Sequence, residues 1–359
     1  MKRLDYYIIK KFLSTFFLAI ALIIVIVVVF DWSEKVNDFV TKKAPLHEII
    51  WDYYVNFIPY FVNMFSALFV FIAVVFFTSK MAAKNEFVAF YSAGIKPQRI
   101  LVPYLITALL LGCLNMYLTN FLIPDVNIKR LKFENTYIFT NYYNGNSNIH
   151  FQMNDTTYFY ASHFDNSNNI GYRFSMENID KEKGLQHKLS SETLHYDTAN
   201  KVWLLYNYFE RYIDSLDDKI ESGYLKKAEL SIIPEDFAIG MKDPVTMNYN
   251  KLKHFIEREK SKGSKLVKMY EYEHYQRIAH PFAIVILTFL GFVFSSKKTI
   301  GGIGANLAIG LGIAFFFIVF LQFSRVFALS NVLPVWFAAW LPIFIFGAIS
   351  LLLLPKLKH

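Results

Sequence analysis

The chain has 359 residues, of which 54% are hydrophobic and 18% charged, and its formal net charge is +8. A soluble domain of this length carries more charge and distributes its apolar residues more evenly along the chain. The composition therefore excludes an ordinary soluble protein.

Six apolar runs approach the length of about 20 residues that a helix needs to cross a hydrocarbon core about 30 Å thick. They cover residues 12–30, 57–77, 100–123, 281–294, 303–323 and 335–354. The first run is longer than the core of a signal peptide, about 7–15 residues, and no small residues follow it as a cleavage site. The sequence thus predicts an α-helical polytopic membrane protein with six spans, the first of them uncleaved.

Cations collect on one side of these spans. They lie in the N-terminal segment, the second and fourth connections and the C-terminal tail: Lys2, Arg3, Lys10, Lys11, Lys80, Lys84, Lys96, Arg99, Lys297, Lys298, Lys356 and Lys358. The positive-inside rule then places both termini in the cytoplasm. Because the net charge largely reflects this topology, it is a poor indication of nucleic-acid binding.

The second connection contains a predicted helix at about residues 79–94. Ser79 can cap its start, Gly94 supplies a left-handed residue at its end, and Pro97 prevents its continuation. Its apolar side consists of Met81, Ala83, Phe87, Phe90 and Tyr91.

Two interpretations of this helix stay open from the residues alone. An exposed carboxylate at Glu86, beside apolar anchors, suits a groove on another protein. Lys80 and Lys84 instead favour a helix lying on the lipid surface.

The long connection between the third and fourth spans predicts an external all-β domain. From Ile149 onward, short aromatic and β-branched segments with some alternation are separated by turn residues. Such spacing is typical of an antiparallel sandwich or a jelly-roll-like domain. From Met247 a helical period returns and leads into the fourth span. The predicted divisions are 1–124, 125–246, 247–278 and 279–359.

The sequence lacks the motifs of the common enzyme and nucleotide sites. It has no P-loop, no zinc-protease histidine motif and no G-x-S-x-G elbow, so we expect no catalytic residue, metal or cofactor. Small residues at Gly301, Ala305, Ala308 and Gly312 are expected to let helices approach closely. His280 is expected to be buried and hydrogen-bonded, with a contact to a lipid headgroup as the alternative.

Charged residues follow the predicted outer ends of the first and fifth spans. Lys35, Lys42 and Lys43 come after the first span, and Arg325 closes the fifth. They fit ordinary interfacial charges, whose cost snorkelling reduces. They equally fit contacts to the phosphates of an anionic amphiphile that enters sideways.

Several segments, spread over nearly the whole chain, resemble one family. They are "LDYYIIKKFLSTF" at the N-terminus, "NEFVAFYSAGIKPQRI" after the second span, Pro124 with Asn127 after the third, and "YQRIAHPFAIVILTFLGFVF" at the fourth. With its three spans, β-domain and three further spans, the chain resembles the LptF/LptG permeases of the lipopolysaccharide-extracting ABC transporter. The "LDYYI" start and the charged stretch after the first span resemble LptG slightly more.

The resemblance implies a function for the helix after the second span. In this family that helix docks in a groove of a cytoplasmic LptB ATPase. Glu86 would then carry the coupling carboxylate, Phe87, Phe90 and Tyr91 would be packing anchors, and Gly94 belongs to the same motif. An LptB-like ATPase dimer is therefore an expected partner.

The resemblance also implies further partners and a location. They are a second LptF/LptG-type chain around a central cavity, LptC/LptA-like periplasmic bridge proteins that receive the lipid, and lipopolysaccharide itself. The chain would lie in the bacterial inner membrane with its β-domain in the periplasm. Where LptG-type proteins place a lysine near the outer end of the first span, this chain has Asp31. Lipid binding is therefore expected of Lys35, Lys42, Lys43 and Arg325, and not of Asp31.

The sequence thus predicts a non-catalytic permease subunit that couples ATP hydrolysis in a partner to lipid extraction. The alternative is a membrane-anchored sensory or scaffold protein with a ligand-binding extracytoplasmic β-domain. An integral-membrane enzyme ranks last, because no catalytic constellation is present.

Overall fold

A computed structural model describes residues 3–138, 145–153, 156–165, 168–180, 182–198, 200–213, 218–230, 232, 234, 244–261, 264, 266–298 and 301–357. The chain divides into two compact units. The helical unit comprises Met1–Ile138, Val245–Tyr249 and Lys268–His359, and the sheet unit comprises Phe139–Pro244 and Asn250–Val267.

The first half of the helical unit is a succession of helices with few breaks. These are α1 (Arg3–Thr41), α2 (Leu46–Glu48), a π-helical turn (Ile49–Tyr54), α3 (Val55–Met64), α4 (Ser66–Ala83), α5 (Glu86–Ser92), α6 (Pro97–Tyr117), a second π-helical stretch (Leu118–Leu122) and α7 (Ile123–Tyr137). After the sheet come α8 (Tyr249–Ser261), α9 (Val267–Ser295), α10 (Gly302–Leu329) and α11 (Val335–Leu353).

In the part of the chain that the structure describes, six helices are long and apolar enough to cross a membrane, which confirms the predicted class of fold. The first of them, α1, has 39 residues, or about 58 Å at a rise of about 1.5 Å per residue. It therefore extends well beyond the predicted apolar run 12–30. The second predicted span is not one continuous helix, because α3 ends at Met64 and α4 begins at Ser66, with Phe65 between them at φ −98° and ψ 10°.

The helix α4 lies at the centre of the helical unit. In its most apolar window 72% of the residues are buried, against 17% in α1 and 22% in α10, and α4 packs against both of those helices. The buried apolar side chains in the N-terminal half of α1 are spaced four residues apart: Ile8, Phe12, Phe16 and Ile20. One stripe of this half of α1 therefore faces the core.

Close packing of the glycine-rich helix α10 occurs at a different glycine from those predicted. A Cβ placed on Gly310 would lie 3.0 Å from a methyl carbon of Val75 on α4, whereas one placed on Gly312 would meet nothing within 4 Å. The prediction that Gly312 lets helices approach is therefore wrong within this chain. Two residues along a helix turn the side-chain direction by about 200°, so Gly310 and Gly312 point to opposite sides.

The sheet unit is built on one antiparallel sheet. Its strands are β1 (Gly145–Gln152), β2 (Thr157–Asp165), β3 (Ile170–Asp180), β4 (Gly184–Asp197), β5 (Val202–Ile213) and β6 (Asp218–Ala228), paired in that order. Within the described residues these strands confirm the antiparallel β-structure that the sequence predicts for this connection. Trp203 is 1% exposed in the core, and its Nε1 donates a hydrogen bond to the carbonyl oxygen of Ile232 at 2.8 Å.

The alternation of the central strands slips at one row. In β2 the buried side chains Ala161 and Phe164 are three residues apart, and in β4 Ser191 and Leu194 repeat that spacing. Arg173 on β3 and Asn207 on β5, in the same row, have φ values of 49° and 53°. The extra residue in each strand returns the next apolar side chain to the same buried face, because side chains alternate between faces.

A buried carboxylate joins three strands of the sheet. Glu210 on β5 accepts hydrogen bonds from Lys226 on β6, from the hydroxyl of Tyr212 at 3.0 Å, and from Nε2 of His187 at 2.9 Å on β4. Burial alone would raise the pKa of Glu210. The bonds from Lys226, His187 and Tyr212 outweigh this effect and hold the pKa below its usual value of 4.5.

Candidate functional site

The short helix α5 lies where the sequence predicted a helix, but it begins later. Ser79 does not cap it, because Ser79 is a buried residue of α4, which continues to Ala83. The turn from α4 into α5 is made at Asn85, which has a left-handed φ of 59°. The apolar residues before Ala83 extend α4 by a full turn, and α5 is therefore limited to Glu86–Ser92.

The end of α5 follows the prediction closely. Gly94 has a φ of 75°, its N–H donates to the carbonyl of Tyr91 at 2.9 Å, and the N–H of Ile95 donates to Phe90 at 3.0 Å. This is the Schellman arrangement that a left-handed glycine permits. Pro97 then occupies the first turn of α6, so the chain passes from α5 to α6 through a short, defined connection.

The aromatic residues of α5 face two ways. Phe87 is 2% exposed, and its ring lies 6.0 Å from that of Phe292 on α9, while Phe90 is partly buried against the same core. Phe87 therefore anchors α5 within this chain. The large apolar side chains that α5 exposes are Val88, at 60%, and Tyr91, at 41%.

The sequence suggested that the carboxylate of Glu86 is exposed and free. In the structure it is instead bonded to side chains of α1. Lys11 Nζ lies 2.9 and 3.0 Å from its two oxygens, and the hydroxyl of Tyr7 donates to Oε2 at 2.8 Å. The Glu86 side chain retains 20% of its exposure. The Lys11 ammonium also sits 4.3 Å from the centre of the Tyr7 ring, so one cation joins both partners.

A second ion pair joins α1 to the first turn of α6. The Arg99 guanidinium meets both oxygens of Asp5, at 2.7 and 2.8 Å, in the two-point arrangement that arginine makes with carboxylates. Asp5 is 6% exposed. The N-terminal end of α1 is therefore bonded to the first residue of α5, at Glu86, and to a residue after α5, at Arg99.

The C-terminal half of α1 carries another charged cluster. Lys35 pairs with Asp31 at 2.6 Å and contacts the hydroxyl of Tyr53, and Asp31 also accepts hydrogen bonds from Tyr53 and Tyr54, at 3.0 and 3.1 Å. Burial, followed by the negative charge of Asp31, raises the pKa of both tyrosines. Lys35, expected to face lipid, is thus already bonded to an acid and a phenol.

The other cations expected to bind lipid are more open. Lys43 follows α1 in a left-handed conformation with φ 53° and is exposed, while Lys42 beside it is half-buried. Arg325 is exposed on the last turns of α10. The structure thus brings Asp31 to Lys35, and leaves Lys43 and Arg325 on the surface of the chain.

A polar cluster, which the sequence indicated only through His280, surrounds the α3–α4 junction. His280 on α9 is partly buried, and its Nδ1 lies 3.2 Å from Oδ1 of Asn115 on α6. Asn115 Nδ2 donates to Asn63 Oδ1 at 2.8 Å and to Ser66 Oγ at 2.9 Å. The expected hydrogen bond of this histidine is confirmed, with Asn115 as its partner, but the ring is only partly buried.

These observations describe a polytopic membrane chain with a short, partly exposed helix after its second span and an antiparallel sheet unit. The family described as lipopolysaccharide export system permease LptF/LptG matches residues 6–356. The chain belongs to the LptF/LptG family. Its members are permease components of lipopolysaccharide export, and the match names LptF and LptG together.

Membership of the LptF/LptG family, with six candidate spans, makes the chain a multi-pass membrane protein of the lipopolysaccharide export system. A comparison with curated proteins found no match. In the described part of the chain no group of three or more His, Cys, Asp or Glu side chains is arranged to hold a metal ion.

Proposed function

We propose that this chain extracts lipopolysaccharide from the inner membrane and passes it to a periplasmic bridge, driven by ATP hydrolysis in an LptB-like ATPase dimer. The chain itself makes and breaks no covalent bond. The observation that carries the proposal is α5, which a member of a permease family exposes after its second span with Val88, Tyr91 and Glu86 on its surface.

The surface of α5 suits a protein groove. The exposed apolar side chains supply contact area, and the partly exposed carboxylate of Glu86 supplies orientation. Phe87 and Phe90 connect this surface to the interior, since Phe87 packs on Phe292 of α9. A push on α5 therefore reaches the core of the helical unit through packed rings as well as through the chain.

The lipid pathway is proposed between spans one and five, together with a second LptF/LptG-type chain. The evidence within the chain is an asymmetry, since α1 and α10 bury much less of their apolar surface than α4. Exposed aromatic rings on α10 include those of Phe315, Phe316 and Phe323. Removing an acyl chain from a bilayer costs about 0.8 kcal/mol per CH₂, so a pathway must offer comparable apolar contacts throughout.

The orientation and remaining partners complete the proposal. Both termini lie in the cytoplasm by the distribution of Lys and Arg, and the sheet unit lies in the periplasm, where LptC/LptA-like proteins receive the lipid. Exposed cations near the proposed outer ends of α1 and α10, Lys43 and Arg325, are the candidates for lipid phosphates. Lys35 can join them only by exchanging Asp31 for phosphate.

The test is a pull-down of the detergent-solubilised chain from its native membranes. Wild type should bring down an ATPase, and Glu86→Arg should lose it while the thermal unfolding temperature is maintained. Glu34→Arg is the matched control, because Glu34 is an exposed acid on α1, far along the helix from the residues that bond Glu86. Absence of the ATPase from the wild-type sample contradicts the proposal and favours a receptor or scaffold.

A further inference from the structure

Lys11 and Tyr7 bring a helix that is remote in sequence to the carboxylate of α5. Lys11 and Glu86 are 75 positions apart, and the chain connects α5 directly only to α4 and α6. Any displacement of α5 would reach α1 through noncovalent contacts. The polar contacts described at Glu86 join α1 directly to α5. The buried apolar stripe of α1 packs instead against α4 and α6.

We propose that Lys11 and Tyr7 are positioning residues for coupling, which fasten α1 to α5 so that the two move together when the ATPase engages α5. The inference rests on the proposed function of α5. Asp5 and Arg99 make the second attachment, on the far side of α5. The N-terminal end of α1 is thus tied both to the first residue of the docking helix and to the polypeptide after that helix.

The number of hydrogen bonds that the Glu86 carboxylate can accept allows this attachment to persist during docking. An ionised carboxylate accepts about four hydrogen bonds. In this chain three contacts are present, two to Lys11 and one to Tyr7. A cation of the ATPase therefore adds to the occupied carboxylate and does not need to displace Lys11. The exposure of 20% that Glu86 retains leaves room for that approach.

The weak apolar attachment of α1 explains why these contacts matter. Only 17% of its most apolar window is buried, and the buried stripe presents one residue per turn. The N-terminal half of the helix, held mainly along this stripe, can tilt relative to its neighbours. Charge-assisted bonds at its end fix its position relative to α5, because they require particular atoms to stay about 3 Å apart.

The test compares transport with ATP hydrolysis in the whole complex. The chain, its partner permease and the ATPase are reconstituted in proteoliposomes that contain lipopolysaccharide. The measured quantity is lipopolysaccharide released per ATP hydrolysed. The double variant Lys11→Met/Tyr7→Phe should lower this ratio at least about fivefold, the lower end of typical coupling between sites, while the amount of bound ATPase is unchanged.

Two controls separate positioning from a general loss of charge or of folding. Lys10→Met removes a neighbouring exposed cation and should leave the ratio unchanged, and Lys11→Arg should retain it to within about twofold because an arginine can still pair with Glu86. For the second attachment, Asp5→Arg should lower the ratio and Asp5→Arg/Arg99→Asp should restore it.

The outcomes distinguish this inference from the proposed function. If the wild type is coupled and the double variant matches Lys10→Met, the inference is overturned and the proposed function stands. If the double variant loses its bound ATPase, Lys11 and Tyr7 only shape α5 for docking, which also overturns the inference. Failure of the proposed function is recognised separately, because the wild-type complex itself would then release no lipid.

Discussion

The substitution Asn115→Ala tests the polar cluster at the α3–α4 junction. The amide of Asn115 contacts Asn63, Ser66 and His280, which lie on three other segments of the helical unit. Hydrogen bonds between helices in membrane proteins average about 0.6 kcal/mol, so the loss of three gives about 2 kcal/mol. The physical reason for a net loss is that buried partners are left without a replacement, since apolar surroundings offer none.

Thermal unfolding in detergent, compared between two alanine variants, measures this effect. Asn120→Ala is the control, because the Asn120 amide donates only to Met116 of its own helix, at 2.8 Å. A loss of about 2 kcal/mol corresponds to about 4–8 °C for a domain of this size, so Asn115→Ala should unfold at a temperature lower than that of Asn120→Ala by this amount. Variants that unfold within about 1 °C of each other, which corresponds to at most about 0.5 kcal/mol by the same scaling, would refute the reasoning.

Three further predictions concern packing and the sheet. Gly310→Leu should lower the unfolding temperature, with an overpacking cost of about 1–3 kcal/mol. Gly312→Leu should not, because a side chain at Gly312 would face open space. Equal shifts for the two variants would contradict the assignment of the close helix contact to Gly310. Glu210 has a lowered pKa, so the stabilisation of the sheet by its carboxylate is present above pH 4.5 and is lost as the pH falls through the lowered pKa. Amide hydrogen exchange in β5 of the full chain should become faster over this pH range, and Glu210→Gln should abolish the pH dependence. Trp203→Phe should destabilise the sheet by about 1–3 kcal/mol through loss of the bond to Ile232, and unchanged exchange in β5 would exclude this contribution.

The spans and strands were predictable because each depends on local pattern. Long apolar runs identify spanning helices by length, and turn residues separate the strands. The slip in the sheet was not predictable in this way, since strict alternation assigns Arg173 and Asn207 to ordinary positions. Their left-handed φ values arise from a row shared by several strands, which a single segment cannot reveal. Beside the break at Phe65, the Asn63 carbonyl likewise accepts a hydrogen bond from Asn115, a residue on another helix.

The candidate site was predicted in position more accurately than in environment. Gly94 ends α5 as expected because a left-handed glycine is a local requirement. Phe87 and Tyr91 are equally aromatic in sequence, yet one is buried and the other exposed. Phe87 is buried against Phe292 on α9. Sequence spacing alone cannot determine which face of a seven-residue helix meets a helix that far along the chain.

The charged residues near both ends of α1 also have partners that the spacing of the sequence alone does not fully determine. Apolar surroundings make an unpaired ion costly, so charged groups there acquire partners. Asp31 and Lys35 are four residues apart, a spacing that indicates a pair once the helix is known to continue through Thr41. Glu86 meets Lys11 across 75 positions, and no local pattern indicates it. An acid that appeared exposed in the sequence therefore acquires an internal partner in the fold, and it is this pairing that gives α1 a direct route to α5.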